Sequence, residues 1–320
     1  MKKEIALGID IGGTNTAFGL VDREGNYLAG ASIATDKHAD INDYLKEMSA
    51  EIEKLNAFLK GQFEILGIGI GAPNANYYKG TIENAVNLRW KGVIPFCNML
   101  KAYFPDIPSF ITNDANAAAI GEMVYGGAKD MKDFVMVTLG TGLGSGFVAN
   151  GKLIYGHDSF AGELGHINVE PHGRQCNCGL QGCLETYVSA TGVKRTVFEM
   201  MSRYNDPSPL RDISFNEMSA KKVSELAEQN DKIALKTFAF TGELLGKALA
   251  NTVAITSPEA VFLFGGLAKS GRLIFDPTKE ALDKNVLSTF AGKVKLLPSQ
   301  LSDNAAVYGA AALAWNELKK

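Results

Sequence analysis

The sequence predicts an α/β protein of two lobes, each a mixed sheet flanked by helices, and three observations carry that reading. The pattern strand, Gly/Thr loop, strand, polar turn, strand occurs twice, as DIGGTNTAFGLVDREGNYLAG at 10–30 and as LGTGLGSGFVANGKLIYG at 139–156. Two short runs, ILGIGIG at 65–71 and AVFLFGGL at 260–267, are apolar throughout, as expected of strands covered on both faces. Segments with apolar residues at helical spacing lie between them. The 320 residues suffice for two packed cores.

The elements follow in order. Residues 4–11 read as a strand, GGTN as a tight turn, 16–22 and 27–34 as the second and third strands of a meander. Ile41, Leu45, Met48, Ile52, Leu55 and Leu59 recur at helical spacing over 39–60, and Gly61 is expected to close that helix. The run at 65–71 should pair parallel to the first strand. Residues 109–112 form another strand that runs into a helix, DANAAAIGEMVYG. The pattern restarts at 134–140. Residues 156–189 look irregular. A helical region spans 217–257, with one long stretch from Asp231 to Thr256. KVKLL is a last strand, and NAAVYGAAALAWNELKK a last helix.

Composition narrows the function. The apolar fraction is 46%, the charged fraction 21% and the formal net charge −3, with no basic run, so nucleic acid and anionic membrane are poor partners. Asp10 interrupts the first apolar stretch too early for a signal peptide, and no run approaches the ~18 apolar residues of a spanning helix. A cytoplasmic protein is expected. Of four cysteines, Cys176, Cys178 and Cys183 cluster, while Cys97 stands alone and reads as a small apolar residue.

Phosphate binding needs converging backbone N–H groups with no Cβ in the way, which glycine-rich turns supply. Three candidates occur, Asp10–Asn15, Gly140–Gly146 and Gly265–Leu267. None is a Walker loop or a G-x-G-x-x-G fingerprint, and the first two lead into strands rather than helices. One such loop alone is as readily a plain hairpin turn. Two alike, plus a Gly-Gly after a buried strand, point to a nucleotide. Asp10, closing a strand beside the first loop, could hold a nucleotide's Mg²⁺ through water, or could simply cap the turn.

The segment GHINVEPHGRQCNCGLQGCLETY offers His166, Cys176, Cys178 and Cys183 as a Cys₃His set. Four nitrogen and sulfur ligands with no vacancy describe a structural zinc ion. His172 competes with His166 for the fourth place. The spacings C-x-C and C-x₄-C differ from the C-x-x-C of a thioredoxin-type redox pair.

The pieces LGIDIGGTNTAFGLVD, TNDANAAAIGE, TLGTGLGSG and GELGHINVEPHGRQCNCGLQGCLETYVSATG span most of the chain. Together they resemble the bacterial ROK family of sugar kinases, which includes glucokinases, fructokinases, N-acetylhexosamine kinases and related repressors. The resemblance implies an actin/hexokinase-like (duplicated ribonuclease H-like) fold. Its expected small lobe is 1–114 plus 304–320, and its large lobe is 115–303 with a zinc-binding loop at 157–186. It implies ATP-dependent phosphorylation of a hexose, glucose first, with an N-acetylhexosamine or fructose as the alternative, and a homodimer. Asp114 would be the catalytic base. Asn87, Asn113, Glu163, His166 and Glu185 would join it in holding the sugar, so that His166 serves both zinc and sugar. Asp10, Gly12, Gly13, Thr14, Asn15, Thr141, Gly142, Gly265 and Gly266 would surround ATP and Mg²⁺.

The physical logic agrees, because carboxylates accept from two hydroxyls at once and a site so built rejects analogues that leave its acceptors unpaired. Asp114 at a helix start is expected to have its charged form stabilised by the dipole, which would weaken it as a base, or to be an ordinary N-cap. Two positions depart from the family pattern. Pro73-Asn74 stands where Pro-Gly is frequent, and Val86 precedes Asn87 where Pro is common. A sugar-responsive repressor would need a DNA-binding domain before a first strand that begins by residue 4. A non-transferring ATPase would leave the sugar ligands and the cysteine cluster unexplained.

Overall fold

A computed structural model describes residues 2–58, 62–301 and 305–319. The chain packs as two units. The first comprises Met1–Met131, Lys152–Ala161 and Gln300–Lys320, the second Lys132–Gly151 and Gly162–Ser299.

In the first unit, β1 (Lys3–Ile11), β2 (Asn15–Asp22) and β3 (Tyr27–Ala34) form the expected meander. After α1 (Ile41–Phe58), β4 (Phe63–Gly71) pairs parallel to β1, and β8 (Ser109–Thr112) parallel to β4, giving the order β3-β2-β1-β4-β8. Leu59 and Gly61, expected to finish the first helix, lie outside the described residues. A small antiparallel sheet of β5 (Ala75–Asn76), β6 (Thr81–Glu83) and β7 (Val93–Ile94), with the short α2 (Phe96–Leu100), fills the stretch before β8.

The period-two alternation of β1 sets the layers. Ile5, Leu7, Ile9 and Ile11 pack with Tyr44, Leu45, Met48 and Ile52 of α1. On the other face Ala6 packs with Ala311, Ala314 and Trp315 of α8 (Ala305–Glu317). Gly8 and Gly69 lie on that second face because α8 comes so close that a Cβ would fall on the carbonyls of Val307 and Ala310. Gly309 of α8 approaches the carbonyl of Ala117 in α3 (Asp114–Tyr125) in the same way.

In the second unit β9 (Phe134–Leu139) pairs antiparallel with β10 (Leu143–Ala149) and parallel with β12 (Ala260–Phe264), which pairs parallel with β13 (Lys295–Pro298). Order and sense repeat those of β2-β1-β4-β8, as the duplicated pattern predicts. The strand β11 (Lys152–Leu153) packs with the first unit, where Leu153 lies against Ile120. The helices α4 (Ala190–Arg203), α5 (Ala220–Glu228), α6 (Lys232–Thr256) and α7 (Arg272–Asn285) cover the second sheet and share one core with it. Among the described residues no helix is long and apolar enough to cross a membrane.

The division differs from the expected one in three places, the smallest being that the closing segment of the first unit starts at Gln300 rather than 304. The boundary falls after Met131 rather than at 114/115, because α3 is clamped to α8 through the glycine contacts above. Residues 152–161 return to the first unit, where the side-chain amide of Asn76 donates to Asp158 O (3.1 Å), Ser159 Oγ accepts from Tyr77 N–H (2.7 Å), and Tyr77 stacks on Tyr155 at 4.0 Å.

Candidate active site

Three strand and helix ends converge in the first unit. Asp10 is the penultimate residue of β1, paired in register with Gly71 at the end of β4, and Asp114 opens α3 after β8. A Cβ on Gly71 would sit 3.8 Å from Asp10 Oδ1 and 3.6 Å from the Asp114 Cα, so a bare glycine separates the two acids. The N-cap is Asn113, whose Oδ1 accepts from Ala115 N–H at 2.9 Å. Asp114 is therefore the first helical residue, not the cap, and its Oδ1 takes the same N–H at 2.8 Å. With its oxygen occupied, Asn113 keeps its NH₂ group for a ligand.

The proton affinity of Asp114 runs opposite to the expectation from the helix dipole. Its side chain is reachable by solvent, yet desolvation by the surrounding protein pushes the carboxyl above the usual range, against the pull of Ala115 N–H. Desolvation wins because one N–H cannot replace the lost hydration. Desolvation, with the neighbouring Asp114 charge second, pushes Asp10 up to about 7.

Beside Asp10, the Gly12–Asn15 turn closes through Gly12 N–H to Asn15 O (3.0 Å), and Thr14 O accepts from Thr35 N–H (2.7 Å). Gly13 is required by close approach, since its Cβ would stand 2.7 Å from Asn87 O. Asn87 is exposed on the 84–92 loop, between buried Ala85 and Leu88. The two departures from the family pattern lie close by. Asn74 adopts φ 51°, a left-handed conformation that Asn tolerates as Gly does, and Val86 is 65% exposed.

In the second unit the 140–143 loop is tied down at several points. Gly140 O accepts from Ala190 N–H (2.9 Å), Thr141 O from Thr191 Oγ1 (3.1 Å), and Leu143 N–H donates to Glu185 Oε2 (2.9 Å). Gly142 leaves room for that carboxylate, which a Cβ would strike. Glu185 thus holds the loop with one oxygen, while the other accepts from Cys176 Sγ at 3.9 Å and keeps further lone-pair capacity. Gly265, at φ 103°, passes so near Leu139 O that a Cβ would stand 2.5 Å away, whereas Gly266 faces open space. Glu163 precedes a 3₁₀ turn, Leu164–His166. Ser145 Oγ donates to Gly162 O and accepts from Leu164 N–H (3.2 Å), bracketing Glu163.

His166, Cys176, Cys178 and Cys183 come together with all ligand atoms within 4.8 Å of one another. Exposed His172 is not in this set. Cys178 and Cys183 Sγ are 3.7 Å apart, and Cys176 Sγ lies 3.8 Å from His166 Nδ1. Tetrahedral bonds of about 2.3 Å to sulfur give edges of about 3.8 Å, which these two separations match, so the donor set suits a zinc ion. Burial and the neighbouring thiols push Cys183 up to about 12, and a cation among the sulfurs would reverse that. His166 Nε2 points away from Cys176, to within 4.0 Å of Glu163 Oε2. The ring can therefore ligate through Nδ1 and donate through Nε2.

Sequence reasoning missed α4 and the residues that anchor these loops. Ser189 caps α4 through Gly192 N–H, and Ser followed by Val193, Val197 and Met200 at helical spacing was the available signal. Buried Arg174 bonds Thr186 O, Gly192 O, Thr196 Oγ1 and Glu199 Oε1 and lies over the Tyr187 ring. A lone Arg in an irregular segment carries no sequence signal of such a role.

Two mixed sheets of one order, each ending in glycine loops beside carboxylates, define a protein of the actin/hexokinase-like class. The ROK family profile matches residues 6–317, and the chain belongs to the ROK family. A glucokinase of Halalkalibacterium halodurans is 33% identical over 307 residues, 95% of this chain and 92% of that protein. The crystal structure of a ROK glucokinase from Streptomyces griseus, in complex with glucose and AMPPNP, is 30% identical with a TM-score of 0.82, covering 98% of this chain and 99% of that one. A xylose repressor of Bacillus subtilis is 27% identical over 98% of this chain and 77% of the repressor.

Proposed function

We propose that the chain is an ATP-dependent hexose kinase with glucose as its first candidate substrate and an N-acetylhexosamine or fructose as the alternative. The observation that carries this reading is Asp114, a solvent-reachable carboxyl at a helix start whose proton affinity desolvation raises. A carboxylate so tuned can orient a sugar hydroxyl and accept its proton as the phosphoryl group arrives. Asn113 NH₂ and His166 Nε2–H are donors to sugar oxygens, while Asn87, Glu163 and the second oxygen of Glu185 complete the set. The Gly12–Asn15 turn, with Thr141, Gly142, Gly265 and Gly266, surrounds the nucleotide, Gly12 N–H being kept for the turn itself. Asp10 holds the hydrated Mg²⁺ that neutralises phosphate charge. His166, Cys176, Cys178 and Cys183 hold a structural zinc ion that fixes the Glu185 loop. The relatives named for glucose phosphorylation support the same reading.

The test is ATP consumption with and without glucose, extended to a panel of hexoses and N-acetylhexosamines. Sugar-dependent turnover is expected, with one sugar preferred. Sugar binding without ATP turnover across the whole panel would overturn the kinase reading in favour of a sugar-responsive regulator.

A further inference from the structure

The ammonium of Lys91 has three carbonyls around it. Nζ donates to Leu88 O at 2.7 Å, Ala85 O at 3.1 Å and Val86 O at 3.2 Å. A lysine ammonium has three protons, so all are used within one turn of its own loop. The carbonyls belong to residues on both sides of Asn87, and the Asn87 carbonyl is the atom Gly13 must make room for. Ala85, Leu88 and Trp90 anchor the loop in the core, but its own backbone bonding is sparse. Asn84 N–H donates to Gly92 O at 2.9 Å, Leu88 N–H reaches Ala85 O only at 3.4 Å, and Asn84 and Gly92 take left-handed backbones, φ 50° and 83°. Between those buried anchors, three charge-assisted bonds from one exposed side chain hold the backbone on either side of Asn87 in the conformation that presents it.

We propose that Lys91 is a positioning residue for sugar binding, acting through Asn87 and without touching the substrate; this rests on the sugar-ligand role proposed for Asn87. Its effect belongs to ground-state recognition, so it falls on the KM for sugar and not on kcat.

The experiment compares Lys91→Met, Lys91→Arg, Asn87→Ala and the double variant Lys91→Met/Asn87→Ala. Steady-state kinetics and amide hydrogen exchange of the 84–92 loop are measured for each. Lys91→Met should raise the sugar KM about tenfold, the scale of losing one charge-assisted bond. Its kcat should stay within about twofold, its melting temperature should be unchanged, and its loop amides should exchange faster. Lys91→Arg keeps the charge but spreads its donors in a plane, and it should resemble Lys91→Met, which separates capping from long-range attraction of an anionic substrate. In the Asn87→Ala background, Lys91→Met should add nothing to KM. A Lys91→Met enzyme with unchanged sugar KM, where Asn87→Ala raises it, overturns the proposal. So does an equal Lys91 effect with and without Asn87, or unaltered loop exchange. A silent Asn87→Ala instead removes Asn87 from the sugar site and with it the function assigned to the loop.

Discussion

Asp114 and Asp10 sit on either side of Gly71; desolvation raises the cost of ionising both, and the Asp114 charge adds to that of Asp10. Asp114→Asn keeps the size and the Ala115 contact but cannot take a proton. Since Asn113 is the cap, the variant should fold with the wild-type melting temperature, bind sugar, and lose about 10²–10⁴ in kcat under saturating substrates. Turnover within about threefold of wild type, well short of the general-base range, would remove Asp114 from the mechanism. Asp10 makes a pH prediction. Its pKa rises from 3.8 to about 7, so the folded protein holds the proton more tightly than the unfolded chain. That stability is fully present below the ordinary carboxylate range and is lost as pH rises through 7. Ligand-free Asp10→Asn should therefore melt higher than wild type at pH 8 and equally at low pH. A lower melting point at pH 8 would contradict the assignment. The two acids were legible in the sequence as motif residues. Their protonation was not, because the helix start is local while desolvation depends on chain segments far apart in sequence.

Between single residues and the whole chain stands the loop that carries the cysteines. Cys183 immediately precedes the turn bearing Glu185, Cys176 Sγ faces the Glu185 carboxylate, and that carboxylate grips Leu143 N–H. One metal ion per chain is expected in protein purified without added zinc, by elemental analysis. Cys178→Ser should lower the melting temperature and weaken sugar binding together, since the ion's binding energy is partly folding energy. Metal-free protein with full stability and activity would refute the site. The three clustered cysteines were readable as a candidate metal set from spacing, but the choice between His166 and His172 was not, because it turns on which ring the folded loop delivers to the sulfurs. The anchors Ser145, Arg174 and Thr191 were invisible for a related reason. Each acts by bonding backbone atoms brought close by folding, and no residue pattern encodes those partners.

At the scale of the whole molecule, the repeated strand–loop–strand pattern revealed the duplicated sheets, since period-two burial and glycine turns are local signals. The unit boundary was hidden because it depends on a helix at the far end of the chain. Ala311, Ala314 and Trp315 of α8 cover Ala6 and Val21, and Gly8, Gly69 and Gly309 let backbones meet where any side chain would intrude. The first sheet is therefore complete only once α8 is in place. A chain ending at Ser299 should not fold its first unit, leaving Ala6 and Val21 uncovered, and should be recovered as aggregate or without a cooperative melt. Gly309→Val tests the same dependence in the full-length chain by driving a side chain into Ala117 of α3, and should cost several kcal/mol by overpacking and backbone displacement. Circular dichroism melts and soluble yield are the measurements. A truncated chain, or a Gly309→Val chain, that melts cooperatively at the wild-type temperature would show that α8 is dispensable. The glycines along its path would then need another explanation.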